Sequence, residues 1–221
     1  MCKRLSGLIL ISLVVTAVRP SAQAMGGGIK GGTNLSTVTG EIYDASRLTK
    51  SLRLGWTGGG FLLFKISQRV SLQVEGLYSI EGFTGKGALY GYGALPIDTP
   101  DETTVTFDVL QIPVLFRVGQ ESKGRTRPYL IAGPGVGILF SGHRVIPGYA
   151  DFPLENQQLK KMDVRAVMGG GVTVSNFLLE ARYTQGLTSA TVRVDGASPS
   201  DFLRKTSHRA QVISILMGVH F

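Results

Sequence analysis

The sequence predicts an all-β protein: an eight-stranded, antiparallel, up-and-down transmembrane β-barrel that follows a cleaved export signal. Apolar and polar residues alternate along eight segments, and a period of two is the period of a strand. Short and long connections alternate between those segments. The chain also contains 30 glycines, and beyond its first 24 residues no apolar run is long enough to cross a membrane as a helix.

The first residues have the three regions of a secretion signal. Lys3 and Arg4 form a basic start, residues 5–17 are apolar, and a small-x-small cleavage pattern ends at Ala24. The apolar run is too short for a membrane helix, which needs about 20 residues. We therefore expect residues 1–24 to be a signal peptide that is removed on export.

The remaining chain, residues 25–221, is expected to form one barrel domain. It contains no cysteine, so it would be held together without disulfides. Removal of the signal lowers the formal net charge from +8 to +5, because the signal carries three basic residues and no acidic one. This mild excess of positive charge in an exported chain does not point to nucleic acid as a partner.

Eight segments carry the alternation. The clearest is 70–81, where the even positions are apolar and the odd positions are mostly polar. Each segment has about the length that a tilted strand needs to cross a bilayer, roughly 9–11 residues or slightly more. The expected strands are residues 27–37, 54–66, 70–81, 104–118, 127–140, 163–174, 177–188 and 208–221.

The connections predict the orientation. Short connections are expected at 67–69, 119–126 and 175–176, and long ones at 38–53, 82–103, 141–162 and 189–207. Outer-membrane barrels have short periplasmic turns and long extracellular loops. The two tightest turns would pair Val174 with Phe177 and Ile66 with Val70. Opposed residues of an antiparallel pair share a face, and all four are apolar, so the register agrees with the faces.

Over the membrane-spanning part of each strand, the charged residues lie on the face opposite the apolar one. They are Lys30, Lys65, Glu75, Glu81, Arg117, Asp163, Arg165, Glu180 and Arg182. In a soluble barrel, such as a secreted lipocalin-like protein, the apolar face would point inward, whereas a membrane barrel places it against lipid. Periodicity alone does not separate these alternatives.

The end of the chain favours the membrane barrel. Phe221 follows four apolar residues at alternate positions, and this resembles the terminal-strand signal that the insertion machinery of the outer membrane recognises. Together with the export signal and the alternating connections, it predicts a protein of the Gram-negative outer membrane. Its expected partners are outer-membrane lipid and that insertion machinery.

The inward face predicts a network of charges. The turn at 175–176 sets Glu180 opposite Gly171 and Arg182 opposite Gly169, which leaves space for two long side chains. Buried charges are tolerated when they are paired and hydrogen-bonded. We expect a network that closes the lumen to solutes, formed by Glu75, Arg165, Glu180 and Arg182.

Two prolines and one break in the pattern do not fit regular strands. Pro113 and Pro134 fall inside expected strands, where each removes a backbone donor. In 104–118 the apolar positions change from odd to even, and a β-bulge near Asp108 and Val109 would explain the change.

Three motifs resemble a known family. Residues 28–36 (GIKGGTNLS) are similar to the opening strand of the PorT-like outer-membrane β-barrels, which are common in the Bacteroidetes, and residues 110–115 (LQIPVL) and 128–134 (PYLIAGP) resemble their fourth and fifth strands. The resemblance implies an eight-stranded outer-membrane barrel in which both prolines are family features. The founding member is implicated in protein secretion, and the motifs themselves carry no chemistry.

An eight-stranded barrel has room inside only for side chains, so a general diffusion pore is not expected. We expect a non-enzymatic protein that acts through its extracellular loops in envelope integrity, adhesion or recognition. One alternative is an accessory component of a secretion system. The other is an outer-leaflet lipid-modifying enzyme, which needs a histidine with a serine in reach, and Ser141 with His143 is the one pair worth testing. No cofactor or metal site is predicted.

Basic residues also fall near the predicted outer ends of the strands. They are Arg53, Arg144, Lys160, Lys161, Arg193, Arg204, Lys205 and Arg209. Such a rim could pair with lipopolysaccharide phosphates, or its side chains could be solvated or snorkelling. The expected periplasmic side of the barrel is basic as well, with Lys123, Arg125 and Arg127.

Overall fold

The computed structural model describes residues 25–39, 49–86, 102–119, 126–145, 152–153, 162–188, 190–191 and 207–221. Within these ranges the chain forms eight long strands. They are β1 (Met25–Thr39), β2 (Arg53–Lys65), β3 (Val70–Lys86), β4 (Glu102–Gly119), β5 (Thr126–Val145), β6 (Met162–Val174), β7 (Phe177–Gly186) and β8 (Ser207–His220). Three short pieces, Thr49–Ser51, Phe152–Pro153 and Ala190–Thr191, pair with β3, β5 and β8.

The strands close into a barrel. Each pairs antiparallel with the next along the chain, and β1 pairs with β8 from Gly28 opposite His220 to Thr39 opposite Arg209. Closure leaves the eight-stranded sheet without a free edge. The predicted fold, an antiparallel up-and-down eight-stranded barrel, is confirmed. In the part of the chain that the structure describes, no helix has the length and apolar character to span a membrane.

The two tight hairpins have the predicted register. Val174 lies opposite Phe177 in the ladder between β6 and β7. Ser175, in the turn between them, has a φ of 55°, which places it in the left-handed region. In the other hairpin the Ile66 N–H donates to the Val70 carbonyl at 3.0 Å.

The β-bulge lies on the strand next to the predicted one. The register between β4 and β5 shifts at Asp108 and Val109, where Phe140 of β5 is the extra residue. β4 pairs with β3 in the same register before and after Asp108, so β4 itself contains no extra residue. The apolar pattern changes because Val105 and Val109 are buried in the interior. The bulge was therefore predicted at the correct level but on the wrong strand.

Each of the two prolines interrupts one ladder. The pairing of β3 with β4 has a gap beside Pro113, and that of β4 with β5 has a gap beside Pro134. On its other side each proline is paired, Pro113 with Gly135 and Pro134 with Ala166. A strand residue directs its N–H towards one neighbour only, so each proline removes a single donor and the second ladder persists.

The two faces of the barrel differ in composition. The outer face is apolar, and Leu130 and Met217 are each 68% exposed on it. The inner face carries the buried charged residues, as predicted. It is not uniformly polar, however. Apolar side chains are also buried there, among them Phe61, Leu77, Leu115, Ile131, Val167 and Leu216.

The seam between β1 and β8 is completed by Phe221. Its N–H donates to the Gly27 carbonyl at 2.9 Å, and the Gly27 N–H donates to the Phe221 carbonyl at 3.1 Å. Deletion of Phe221 removes both bonds, and we expect it to lower the free energy of unfolding by about 1–3 kcal/mol, since each bond contributes about 0.5–1.5 kcal/mol. Urea unfolding after refolding into lipid vesicles would measure the loss.

The matched control is Phe221→Ala, which keeps both backbone groups and removes only the aromatic ring. We expect its stability in vesicles to lie closer to that of the parent than to that of the deletion. Equal stability of the deletion and the parent would show that these two bonds do not hold the seam.

Candidate functional site

Four charged side chains form a closed ring inside the barrel, contributed by β1, β3 and β7. We call Lys30, Glu75, Glu180 and Arg182 the charge ring. Lys30 Nζ lies 2.8 Å from Glu75 Oε1 and 2.9 Å from Glu180 Oε1. Arg182 reaches Glu75 Oε2 through Nη1 and Glu180 Oε1 through Nη2, both at 2.8 Å. Each cation thus contacts both carboxylates, and the formal charges of the ring cancel.

Neutral side chains complete the hydrogen bonding of the two carboxylates. Gln73 Nε2 donates to Glu75 Oε1 at 2.6 Å, and the Tyr129 hydroxyl donates to Glu180 Oε2 at 3.0 Å. The Arg182 Nη2 contact with Glu180 is an ion pair without hydrogen-bond geometry, and Arg182 Nε has no acceptor among the described residues. The carboxylates are therefore better satisfied than the guanidinium.

Two glycines of β6 provide the space for the charge ring. Gly171 lies opposite Glu180 and Gly169 opposite Arg182, as the hairpin register predicted. A Cβ atom on Gly171 would lie 2.6 Å from the Tyr129 hydroxyl, and one on Gly169 would lie 2.9 Å from the Arg182 Cβ. Side chains at either position would collide with the backbone carbonyls of β7 and would displace members of the network.

A second group of charges lies nearer the end with the long connections. In this outer cluster, Arg165 Nη1 lies 2.7 Å from Glu81 Oε1, and Arg165 Nε lies 2.8 Å from Asp163 Oδ2. Gln111 Nε2 donates to Glu81 Oε1 at 2.5 Å. The structure thus divides the four predicted network residues between two clusters. Glu75, Glu180 and Arg182 lie together, and Arg165 lies with Glu81.

The arrangement is that of a closed barrel with apolar residues outside and paired charges inside. A family model described as "Outer membrane protein beta-barrel domain" matches residues 21–192. The chain belongs to this family. It is a protein of the outer membrane, and its exposed apolar face is the surface that meets lipid.

Several solved outer-membrane structures are similar in fold. Ail, the attachment invasion locus protein of Yersinia pestis, is 11% identical over 89% of this chain and 98% of its own, with a TM-score of 0.40. OprG from Pseudomonas aeruginosa is 12% identical over 90% and 96%, with a TM-score of 0.48. The outer membrane enzyme PagL is 11% identical over 89% and 99%, with a TM-score of 0.37. No curated protein matches the chain in sequence.

The serine–histidine pair of this outer-membrane barrel lies beyond the bulge of β5. There the Ser141 hydroxyl donates to the Asp108 carboxylate of β4, on the outward face, and Tyr78 contacts the same carboxylate. His143 is two residues further on and lies opposite Thr106. Among the described residues no group of three or more histidine, cysteine or acidic side chains is placed to hold a metal ion.

The predicted basic rim is described only in part. Arg53 Nη1 donates to the Glu81 carbonyl at 3.3 Å, the Arg144 backbone lies opposite Val105, and Arg209 is exposed opposite Thr39. The other rim residues lie outside the described part of the chain: Lys160, Lys161, Arg193, Arg204 and Lys205.

The charge ring predicts a large effect of removing one carboxylate. Glu180→Ala leaves Lys30 and Arg182 buried with one acidic partner and takes the acceptor from Tyr129. We expect the free energy of unfolding to fall by about 3–5 kcal/mol, the usual cost of breaking a buried ion pair. Denaturant unfolding in micelles, followed by the fluorescence of Trp56, the one tryptophan of the chain, measures it.

Two further variants separate charge from volume. Glu180→Gln keeps the shape of the side chain and removes its charge, so it should also destabilise the barrel. Arg209→Gln removes an exposed charge from β8 and should change the stability by no more than about 0.5 kcal/mol. Parental stability of Glu180→Gln would mean that the ring does not depend on its charge balance.

Proposed function

We propose that this outer-membrane barrel is a non-enzymatic scaffold with a closed lumen, which acts through its extracellular loops in envelope integrity, adhesion or recognition. The observation that carries the proposal is the contact between Glu75 and Arg182. Glu75 belongs to β3 and Arg182 to β7, four strands apart in an eight-stranded barrel. A 2.8 Å ion pair between opposite walls therefore crosses the diameter of the lumen.

Other contacts extend the closure along the barrel. Arg165 of β6 meets Glu81 of β3, three strands away, in the outer cluster. Nearer the short turns, Arg117 of β4 donates to Thr173 of β6 at 2.9 Å. An apolar cluster of Leu115, Tyr129, Ile131 and Val167 is packed between these polar levels. A barrel filled in this way lets no solute pass through it, and the long loops are its largest part outside the barrel wall.

The loops are supported as the functional part by their length and position. The connections between β1 and β2, β3 and β4, β5 and β6, and β7 and β8 leave the same end of the barrel, and each is longer than any connection at the other end. Long loops on a rigid scaffold are common sites of recognition.

A contact at the outer face supports a non-enzymatic role over lipid modification. A serine nucleophile needs a neighbouring base, usually a histidine, to take its proton. The Ser141 hydroxyl instead directs its proton at Asp108. This bond anchors β5 to β4 at the bulge and engages the hydroxyl proton that a histidine base would have to accept.

A second candidate function is an accessory role in protein secretion. It is supported by the resemblance of residues 28–36, 110–115 and 128–134 to PorT-like barrels. The two prolines in these motifs lie in β4 and β5, where each interrupts a ladder. Co-purification of a secretion complex with the tagged barrel from its native membrane would favour this candidate over adhesion.

The closed lumen predicts the absence of ion conduction. Purified barrel reconstituted in a planar lipid bilayer should show no stable conductance, because the charge ring and the outer cluster both cross the path. A general porin inserted into the same bilayer is the positive control. Steady channels from the unmodified barrel would contradict the closed-lumen proposal and support a pore function.

The loop assignment predicts the orientation in the cell. Epitopes inserted at residue 90 or residue 150 should be labelled on intact cells, since both positions lie in long connections. An epitope at the 175–176 turn should be labelled only after the outer membrane is permeabilised. Labelling of the turn but not of the loops on intact cells would reverse the orientation.

A further inference from the structure

The periplasmic mouth of the barrel contains an open cavity of about 470 Å³. It lies at the end with the short turns, on the far side of the charge ring from the extracellular loops. Its basic lining residues are Lys65, Arg69, Arg117 and Arg127, and its other titratable side chains are Tyr129 and His220. None of the described side chains that line it is acidic, and the acidic group among the lining residues is the α-carboxylate of Phe221, one oxygen of which accepts the Gly27 N–H at 3.1 Å. We call this cavity the basic vestibule.

Arg117 forms the base of the vestibule. Its guanidinium lies over the Tyr129 ring, 3.5 Å from the ring centroid. Its described hydrogen-bond partners are neutral, Gln73 Oε1 at 3.3 Å and Thr173 Oγ1 at 2.9 Å. A guanidinium has five N–H donors, so these two bonds leave further donors for a ligand. Stacking on the ring holds the plane of the guanidinium in place.

The nearby carboxylates do not neutralise Arg117. Glu75 and Glu180 influence it electrostatically, but both are engaged by the two cations of the charge ring. No described carboxylate forms an ion pair with Arg117 within 4 Å. The charge at the base of the vestibule is therefore balanced only at longer range.

Two further arginines lie at the entrance. Arg69 is exposed in the turn between β2 and β3, and Arg127 is exposed at the start of β5. Arg127 Nη2 donates to the Ser175 carbonyl at 3.4 Å, a long bond to a neutral acceptor.

We propose that the basic vestibule binds a phosphate group presented from the periplasm. Guanidinium groups match the oxygens of phosphate in charge and in planar geometry, and several arginines around one cavity suit a doubly charged anion. The volume lies within the range of about 300–1,000 Å³ that is usual for small-molecule sites. A free phosphorylated small molecule and the headgroup of a phospholipid from the periplasmic leaflet both supply this chemistry.

Inorganic pyrophosphate tests the site directly. Folded barrel in non-ionic maltoside micelles should bind it saturably with a stoichiometry of one, measured by titration calorimetry at low ionic strength. The double variant Arg69→Gln/Arg127→Gln removes both entrance charges from exposed positions and should weaken binding at least tenfold. The control Lys50→Gln removes a positive charge at the opposite end, from a residue that belongs to neither the vestibule nor the predicted rim, and it should leave binding unchanged.

A short-chain phosphatidic acid, added below its micellar concentration, separates the two sources. Competition with pyrophosphate, together with tighter binding, assigns the vestibule to a lipid headgroup. Pyrophosphate binding without competition assigns it to a soluble phosphate. Arg117→Gln, checked for folding by its heat-modifiable migration, should abolish binding of either probe.

Two results would overturn the proposal. The first is that neither probe binds at millimolar concentration. The second is that Lys50→Gln weakens binding as much as the entrance variant does, since this would reduce the effect to the net charge of the protein. Both results would leave the closed lumen and the role of the loops unaffected.

Discussion

The structure depends on the ion pair between Glu75 and Arg182, which joins opposite walls of the barrel. Burying a charge that is not fully compensated costs several kcal/mol, so each of the two side chains lowers the cost of burying the other. Lys30 and Glu180 extend the pair to a ring in which two positive and two negative charges balance. The ring in turn requires glycine at positions 169 and 171, because side chains there would occupy its space.

The membrane imposes the second constraint. Lipid offers no hydrogen-bond partners, so the backbone of each strand must be paired by its neighbours and the sheet must close. The seam between β1 and β8 meets this requirement, and the prolines are tolerated because each interrupts only one of its two ladders. With the apolar face turned to lipid, stabilisation of the interior comes from mixed polar and apolar packing.

The sequence predicted those features that follow from the alternation of inward-facing and outward-facing residues along each strand. Strand positions, both hairpin registers and the two glycine pairings depend only on alternation and turn length. This alternation determines which face of the barrel a side chain occupies. It does not determine the height of the side chain in the lumen, which depends on strand tilt and stagger. Arg165 was therefore assigned to the interior correctly but to the wrong partners, and Lys30 was placed inside without its role in the ring.

Two other features lay beyond sequence reasoning for related reasons. The bulge was assigned to β4 because Val105 and Phe107 were taken as outward-facing, although the interior accepts apolar side chains. The basic vestibule joins the ends of strands that are distant in the chain, so no local motif marks it. The available signal in the sequence was the group of basic residues in and beside the short connection 119–126, namely Lys123, Arg125 and Arg127.

The central claim is that Glu75 and Arg182 stabilise the barrel as a pair across the lumen. A double-mutant cycle with Glu75→Gln, Arg182→Met and the combined variant, measured by reversible unfolding in micelles, isolates their interaction. The account predicts that each single variant is strongly destabilised and that the double variant loses less than the sum, with a coupling free energy of about 1–3 kcal/mol. Additive losses, with a coupling free energy near zero, would contradict it.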